Sequence, residues 1–298
     1  MKRYLLLATL VICVTMLHAR GQREDGGFSY EGVRVLEIEA RTFAVDIRSG
    51  SDDFVTMTVE DYPDDHTVLH TVVGTRVRVW VEQDRWLFPL SHRGRLVFRV
   101  PHDTEISVET LTGSVSIAGI TTSELQVKTS TGRISLEEIG ADVHARSNTG
   151  AIGISRSRGR FDVGTTTGSI ACSELRGPVT SRSSTGSHSY LDVRGDVDAR
   201  STTGRIELNR TEGSVRLRTS TGSQKGIAVT LTGDSSFQAS TGSIQMDFTN
   251  ALDRLQFDLT STTGSLEVGR ERSQRRLFLS GTGIVVTGTT STGSQRFF

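Results

Sequence analysis

Disulfide crosslinks, membrane-length apolar runs and a surplus of one charge are all missing from this chain, and each absence removes a class of protein. The only cysteines are Cys13 and Cys172. Cys13 falls in an N-terminal apolar stretch that reads as a removable leader, so no intramolecular disulfide can form in the mature chain and stability must come from packing. No apolar run approaches the roughly 20 residues that a membrane-spanning helix needs. Lys and Arg total 34 against 34 Asp and Glu, a net charge of zero, which offers nothing to attract nucleic acid. Prolines number 4 and aromatics make up 6%. That scarcity, beside abundant Gly, Ser and Thr, would indicate a disordered linker if no periodic apolar component accompanied it.

The motifs of common chemistries are missing too. There is no nucleophile elbow, no Gly-rich phosphate cradle, no His-Glu zinc motif and no Asp-bearing calcium-roll nonapeptide. The expectation is a protein that is not an enzyme, with no catalytic residue, cofactor or metal. His66 and His70, with Asp64 and Asp65 beside them, are the nearest approach to a ligand set. No cysteine or further clustered ligand supports them, and they read as an exposed polar turn after Pro63.

What is there begins with a leader. Lys2 and Arg3 precede an apolar stretch from Tyr4 to Leu17, then Ala19 and a polar run from Arg20 to Gly27. This is the three-part layout of a secretory signal, with cleavage after Ala19. Cleavage removes two basic residues and no acid, leaving a net charge of −2. Ile12 before Cys13 is not the small residue a lipid-attachment site requires, so a lipid anchor is not expected. The destination is the periplasm or the cell surface.

Beyond the leader the chain repeats. Thr-Gly pairs end at Gly132, Gly150, Gly168, Gly186, Gly204 and Gly222, each 18 residues after the last, with irregular members ending at Gly113, Gly242, Gly264 and Gly293. A second glycine register, Gly159, Gly177, Gly195 and Gly213, lies nine residues out of phase. Each 18-residue unit therefore has two turns and two strands, as in a solenoid. Aligned units give alternating columns. Val143, Phe161, Val179, Val197 and Val215 form one; Ala145, Val163, Ser181, Ala199 and Leu217 the next; Ser147, Thr165, Ser183, Ser201 and Thr219 a third. On the second strand Ile134, Ile152, Ile170, His188 and Ile206 accompany Leu136, Ile154, Cys172, Tyr190 and Leu208. Such period-2 columns face inward, with polar residues between them facing water. The fold expected is an all-β parallel β-solenoid, its hydroxyl column exchanging hydrogen bonds along the axis and its corner glycines supplying positive φ or a close approach of coils. His188 and Tyr190 interrupt aliphatic columns, and His188 is read as hydrogen-bonded to backbone inside a corner. Cys172 is read as a buried small hydrophobe.

The organisation expected is a signal peptide at 1–19, a polar linker at 20–32, a β-rich cap or irregular first coils at 33–105, and solenoid repeats at 106–298. Residues 277–298 loosen the period and are read as closing the far end. Arg99-Val100-Pro101, Ile106 to Val108 and Thr112-Gly113-Ser114-Val115, followed by recurring Ser-Thr-Gly-Arg-Ile and Thr-Thr-Gly-Ser-Ile coils, resemble the bacterial family of candidate adhesins built from β-strand repeats. The resemblance covers residues 33–298, implies the solenoid fold and brings no catalytic residues.

Two surface features stand out. Lys128, Arg146, Arg182, Arg200 and Arg218 form an outward basic column broken only by Gly164. Like charges stacked in adjacent strands repel one another, so they need either nearby acids such as Asp162 and Asp198 or an anionic partner, an acidic polysaccharide or an envelope surface. Arg194-Gly195-Asp196 spells the tripeptide that host integrins read, on an outer turn; a chain this rich in Arg and Gly produces it readily by chance. The function expected is an exported, non-enzymatic, adhesin-like binding protein presenting a long rigid face. The alternative is a structural envelope protein that self-associates through strand edges.

Overall fold

A computed structural model describes residues 27–50, 53–61, 66–83 and 94–298. The expected leader, most of the linker, and Asp64 and Asp65 lie outside the described residues.

The chain is an all-β parallel solenoid, and its only described helix is a single 3-10 turn, Leu252–Arg254. In the regular stretch, Gly140–Thr149, Phe161–Thr167, Val179–Thr185, Val197–Thr203 and Val215–Thr221 stack in parallel, with Val143, Phe161, Val179, Val197 and Val215 opposite one another. The second strands, from Ile134–Glu137 through Ile152–Arg158, Ile170–Arg176 and His188–Arg194 to Ile206–Gly213, stack likewise. Every residue assigned inward from the period-2 columns is buried. Parallel strands of adjacent coils lie about 4.8 Å apart, and the ladder satisfies backbone groups that no isolated coil could satisfy.

The Thr-Gly corner explains the glycine. Gly186 has φ +151°, and a Cβ there would collide with the backbone carbonyl of Gly168 in the coil before. Gly168 stands in the same relation to Gly150. Both expected reasons for glycine, positive φ and close approach, therefore act together. The hydroxyl column behaves differently from expectation. Thr165 Oγ1 donates to the Gly150 carbonyl at 3.2 Å and Ser201 Oγ to that of Gly186 at 3.3 Å. Ser183 to Ser201, at 3.2 Å, is the one hydroxyl-to-hydroxyl bond found along the column among the described residues. The corner turns the hydroxyls towards glycine carbonyls, and Ser183 and Ser201 add a bond to each other along the axis.

The two ends depart from chain order. Val35–Arg41 pairs in parallel with both Arg76–Gln83 and Glu105–Thr110, and Ala44–Ser49 with both Arg95–Val100 and Val115–Ala118. The first coil in sequence is thus second in the stack, clamped by one that follows much later. Beyond the outermost coil, His66–Val73 and Phe54–Glu60 run antiparallel to it, and Phe28–Glu31 pairs antiparallel with Phe54–Glu60. This corrects two readings. Phe28–Glu31 is a strand within the stretch read as linker, because its Tyr30 is buried against the ring of His70. His66 and His70 belong to a strand, not a turn: His66–Val73 runs antiparallel to Arg76–Gln83, with His66 and Val68 buried.

The far end repeats the device. Val285–Thr292 and Gln295–Phe297 insert between the coil of Ser235–Thr241 with Ile244–Phe248 and the coil of Gln256–Thr263 with Leu266–Val268. The antiparallel strands Glu271–Ser273 and Arg276–Leu279 lie beyond. Of residues 277–298, then, only the beginning lies at the end of the stack; the final strands are interior to it, where Phe297 packs with Phe237, Phe248 and Phe257.

Candidate functional site

The basic column is in register: Lys128 stands opposite Arg146, Arg146 opposite Gly164, Gly164 opposite Arg182, and Arg182, Arg200 and Arg218 follow. Much of its charge is met on the same face. Arg146 pairs with the Asp162 carboxylate and donates to its carbonyl at 2.8 Å. Arg182 lies 3.7 Å from the same carboxylate, and Arg200 holds Asp198 through two hydrogen bonds of 3.2 and 3.1 Å. Among the described residues Lys128 and Arg218 make no ion pair.

A second feature was not read from the sequence. Glu138, Arg156, Glu174, Asp192, Arg210 and Ala228 recur every 18 residues, and each has φ between 49 and 55°. A left-handed residue inside a strand bends it. The residue before and the kink residue itself both face out, and the next, as in Ile139, Leu175 and Val193, is buried. Stacked on coil after coil, the bend makes a concave groove of about 980 Å³ running along the axis from Thr121 to Thr249. The kink column forms one wall. The other is the column two residues on, in which Arg158, Arg176, Arg194 and Glu212 stand directly opposite one another.

The walls differ in how their charge is met. Arg156 pairs with Glu137 and, at 3.2 Å, with Glu138. Arg210 grips both oxygens of Asp192 at 2.5 and 2.7 Å. That guanidinium holds the Asp192 carboxyl below its usual range, and the charge of Arg194 adds to the effect. On the other wall Arg158, Arg176 and Arg194 are exposed, and none forms an ion pair within 4 Å among the described residues. The signal in the sequence was a slip of phase. After Ile170 and Cys172 the inward pattern calls for residue 174, yet Glu174 is charged and Leu175 apolar.

Residues 33–283 match the family model described as Toastrack DUF4097. The chain belongs to the Toastrack family. The resemblance to candidate-adhesin β-repeats read from the Ser/Thr-Thr-Gly coils therefore holds. Two solved structures align with the chain over most of its length. One is a candidate cell adhesion protein from Clostridium sporogenes, 9% identical, covering 91% of this chain and 99% of its own, with a TM-score of 0.25. The other is a candidate adhesin from Bacteroides fragilis, 14% identical, covering 92% and 98%, with a TM-score of 0.37. None of the curated proteins compared with the chain matches it.

Inside the Toastrack stack one coil carries a polar core. His188 Nδ1 lies 2.9 Å from Ser181 Oγ and Nε2 lies 2.7 Å from Ser183 Oγ, while Tyr190 hydrogen-bonds Ser181. The partners of His188 are thus hydroxyls of the facing strand rather than backbone. Burial lowers its pKa to about 4. A serine beside an imidazole suggests acyl-transfer chemistry, but His188 and Ser181 are fully buried. Cys172 is buried in the adjacent coil, its thiol pushed up to about 12 by desolvation.

The remaining sequence candidates are also placed. The backbone of Arg194-Gly195-Asp196 lies in the ladder: Gly177 N donates to the Arg194 carbonyl, and Gly195 N to that of Glu212, each at 2.8 Å. Asp196 accepts from Ser214 N at 2.9 Å. The tripeptide is a register position, with Arg194 on the groove wall. His66 packs on Phe43 and His70 on Phe28 and Tyr30. Among the described residues no group of three or more His, Cys, Asp or Glu is arranged to hold a metal, and no helix is long and apolar enough to cross a membrane.

Proposed function

We propose that the protein is an exported, non-enzymatic binding module of the cell envelope, adhesin-like in that it holds an anionic partner against an extended rigid face. The observation that carries this reading is the register. Each coil presents the same outward columns as the last, so like charges stand in line along the axis with unmet capacity at Lys128 and Arg218 and along the Arg158–Arg194 wall. Solenoids of this kind offer long surfaces rather than pockets. The test is co-sedimentation of the protein with envelope fractions across a salt series. Binding that weakens as salt rises, and weakens further when Arg182, Arg200 and Arg218 are changed together to Ser, is expected; salt-insensitive binding that ignores the change overturns the role of that column.

A second reading, a structural envelope protein that self-associates by its edges, has its own support. Among the described residues Arg276–Leu279 is paired on one side only, and Phe278 is exposed beside that open edge. Strand edges of this kind template pairing with another chain. Light scattering that grows with protein concentration favours this reading, and a monomer at all concentrations favours the first.

A further inference from the structure

We propose that the axial groove binds a single extended strand of an acidic polysaccharide, a polyuronate, with sugar carboxylates on Arg158, Arg176 and Arg194 and sugar hydroxyls on Glu174 and Glu212. This rests on the reading of the protein as a binding module and gives it a site and a ligand class.

Three observations carry it. First, Arg158, Arg176 and Arg194 are stacked in register, about 4.8 Å apart, exposed and without ion pairs among the described residues. Three guanidinium groups so aligned repel one another, and a planar fork is suited to bidentate contact with carboxylates. Second, the ladder lies on the wall of a concave groove of about 980 Å³ that continues over several coils, so a linear chain has a bed on both sides of the arginines. Third, the groove is not uniformly basic. Glu138 and Asp192 are occupied by Arg156 and Arg210, but Glu174 and Glu212 line the groove with no ion pair among the described residues. Carboxylates accept hydrogen bonds and cannot donate them. A polymer that carries only acceptors and negative charge, such as polyphosphate or a nucleic-acid backbone, meets repulsion there. A polyuronate supplies hydroxyl donors to the same two acids while its carboxylates meet the arginines.

The test is binding of polygalacturonate, measured by calorimetry at low salt, with neutral dextran and polyphosphate as the comparison polymers. The protein should bind polygalacturonate at least about tenfold more tightly than either. Changing Arg158, Arg176 and Arg194 together to Ser should weaken that binding at least about tenfold, and to Lys by less, because charge remains while the fork is lost. The Lys variant also serves if the Ser variant fails to fold. Changing Glu174 and Glu212 to Gln should narrow the preference over polyphosphate. Equal affinity for polyphosphate overturns the ligand class, and no loss in either groove-arginine variant overturns the site. If envelope co-sedimentation persists while polygalacturonate does not bind, this proposal fails and the broader reading stands; if both are absent, both fail.

Discussion

His188 Nε2 lies 2.7 Å from the Ser183 hydroxyl in a sealed corner where the same position in the coils above and below is Ile170 and Ile206. Burial there favours the neutral imidazole over the charged one. An unfolded histidine takes up its proton near pH 6.5, whereas the folded one waits until about 4. Between those values the unfolded chain binds a proton that the folded chain does not, so this residue removes stability as pH falls from 6.5 towards 4, by roughly 3 kcal/mol in all, and has no such effect above 6.5. His188→Ile should leave Ser181 bonded to Tyr190 and Ser183 to Ser201, and should flatten that part of the pH dependence. Denaturant melts of both proteins at pH 7 and pH 4.5 check it; the variant should lose less on acidification than the parent.

The corner glycines predict a contrast between two otherwise similar substitutions. Gly186→Ala drives a Cβ into the Gly168 carbonyl from a backbone with φ +151°, and should cost about 3 kcal/mol or more. Gly153→Ala, in the strand Ile152–Arg158, meets nothing within 4 Å and should be neutral or slightly stabilising. Thermal unfolding of the pair measures the difference directly.

Burial of Cys172 predicts inertness. With its thiol pushed up to about 12, it should resist alkylation at pH 8 in the folded protein and react promptly in denaturant. Peptide mapping after iodoacetamide treatment separates the two cases, and rapid modification of Cys172 without denaturant would show the inward register to be wrong.

How far the sequence could be read depends on the range of the interactions involved. Columns such as Ile134, Ile152 and Ile170 were legible because inward packing constrains side chain and period at once. The His188 contact was half legible: two polar residues in aliphatic columns mark an irregular coil, but their partners, Ser181 and Ser183, come from the facing strand. The groove was missed because a left-handed kink at Glu174 or Asp192 places no glycine in the sequence, only a one-residue slip from Cys172 to Leu175. The end topology was missed for a different reason. That the coil of Val285–Thr292 sits before that of Gln256–Thr263 is decided by long-range pairing, and a lengthened interval between Thr-Gly pairs does not say which coil lies next to which.

All of these readings rest on the 18-residue coil as the unit of structure, and deletion tests that claim most directly. Removing Asp196–Gly213 takes out one whole coil, the strands Val197–Thr203 and Ile206–Gly213. It joins Gly195 to Ser214 across equivalent corners, so Val179–Thr185 can pair with Val215–Thr221. Solenoid stability is approximately a sum of coil and neighbour terms, so this protein should fold with a modest loss. Removing only residues 205–213 deletes half a coil, leaves Val197 and Ala199 without Ile206 and Leu208 across the core, and puts every later strand out of phase. Thermal unfolding of the two deletions should show the nine-residue cut to be far more damaging than the eighteen-residue one; equal tolerance, or a greater loss from the longer deletion, would contradict the account.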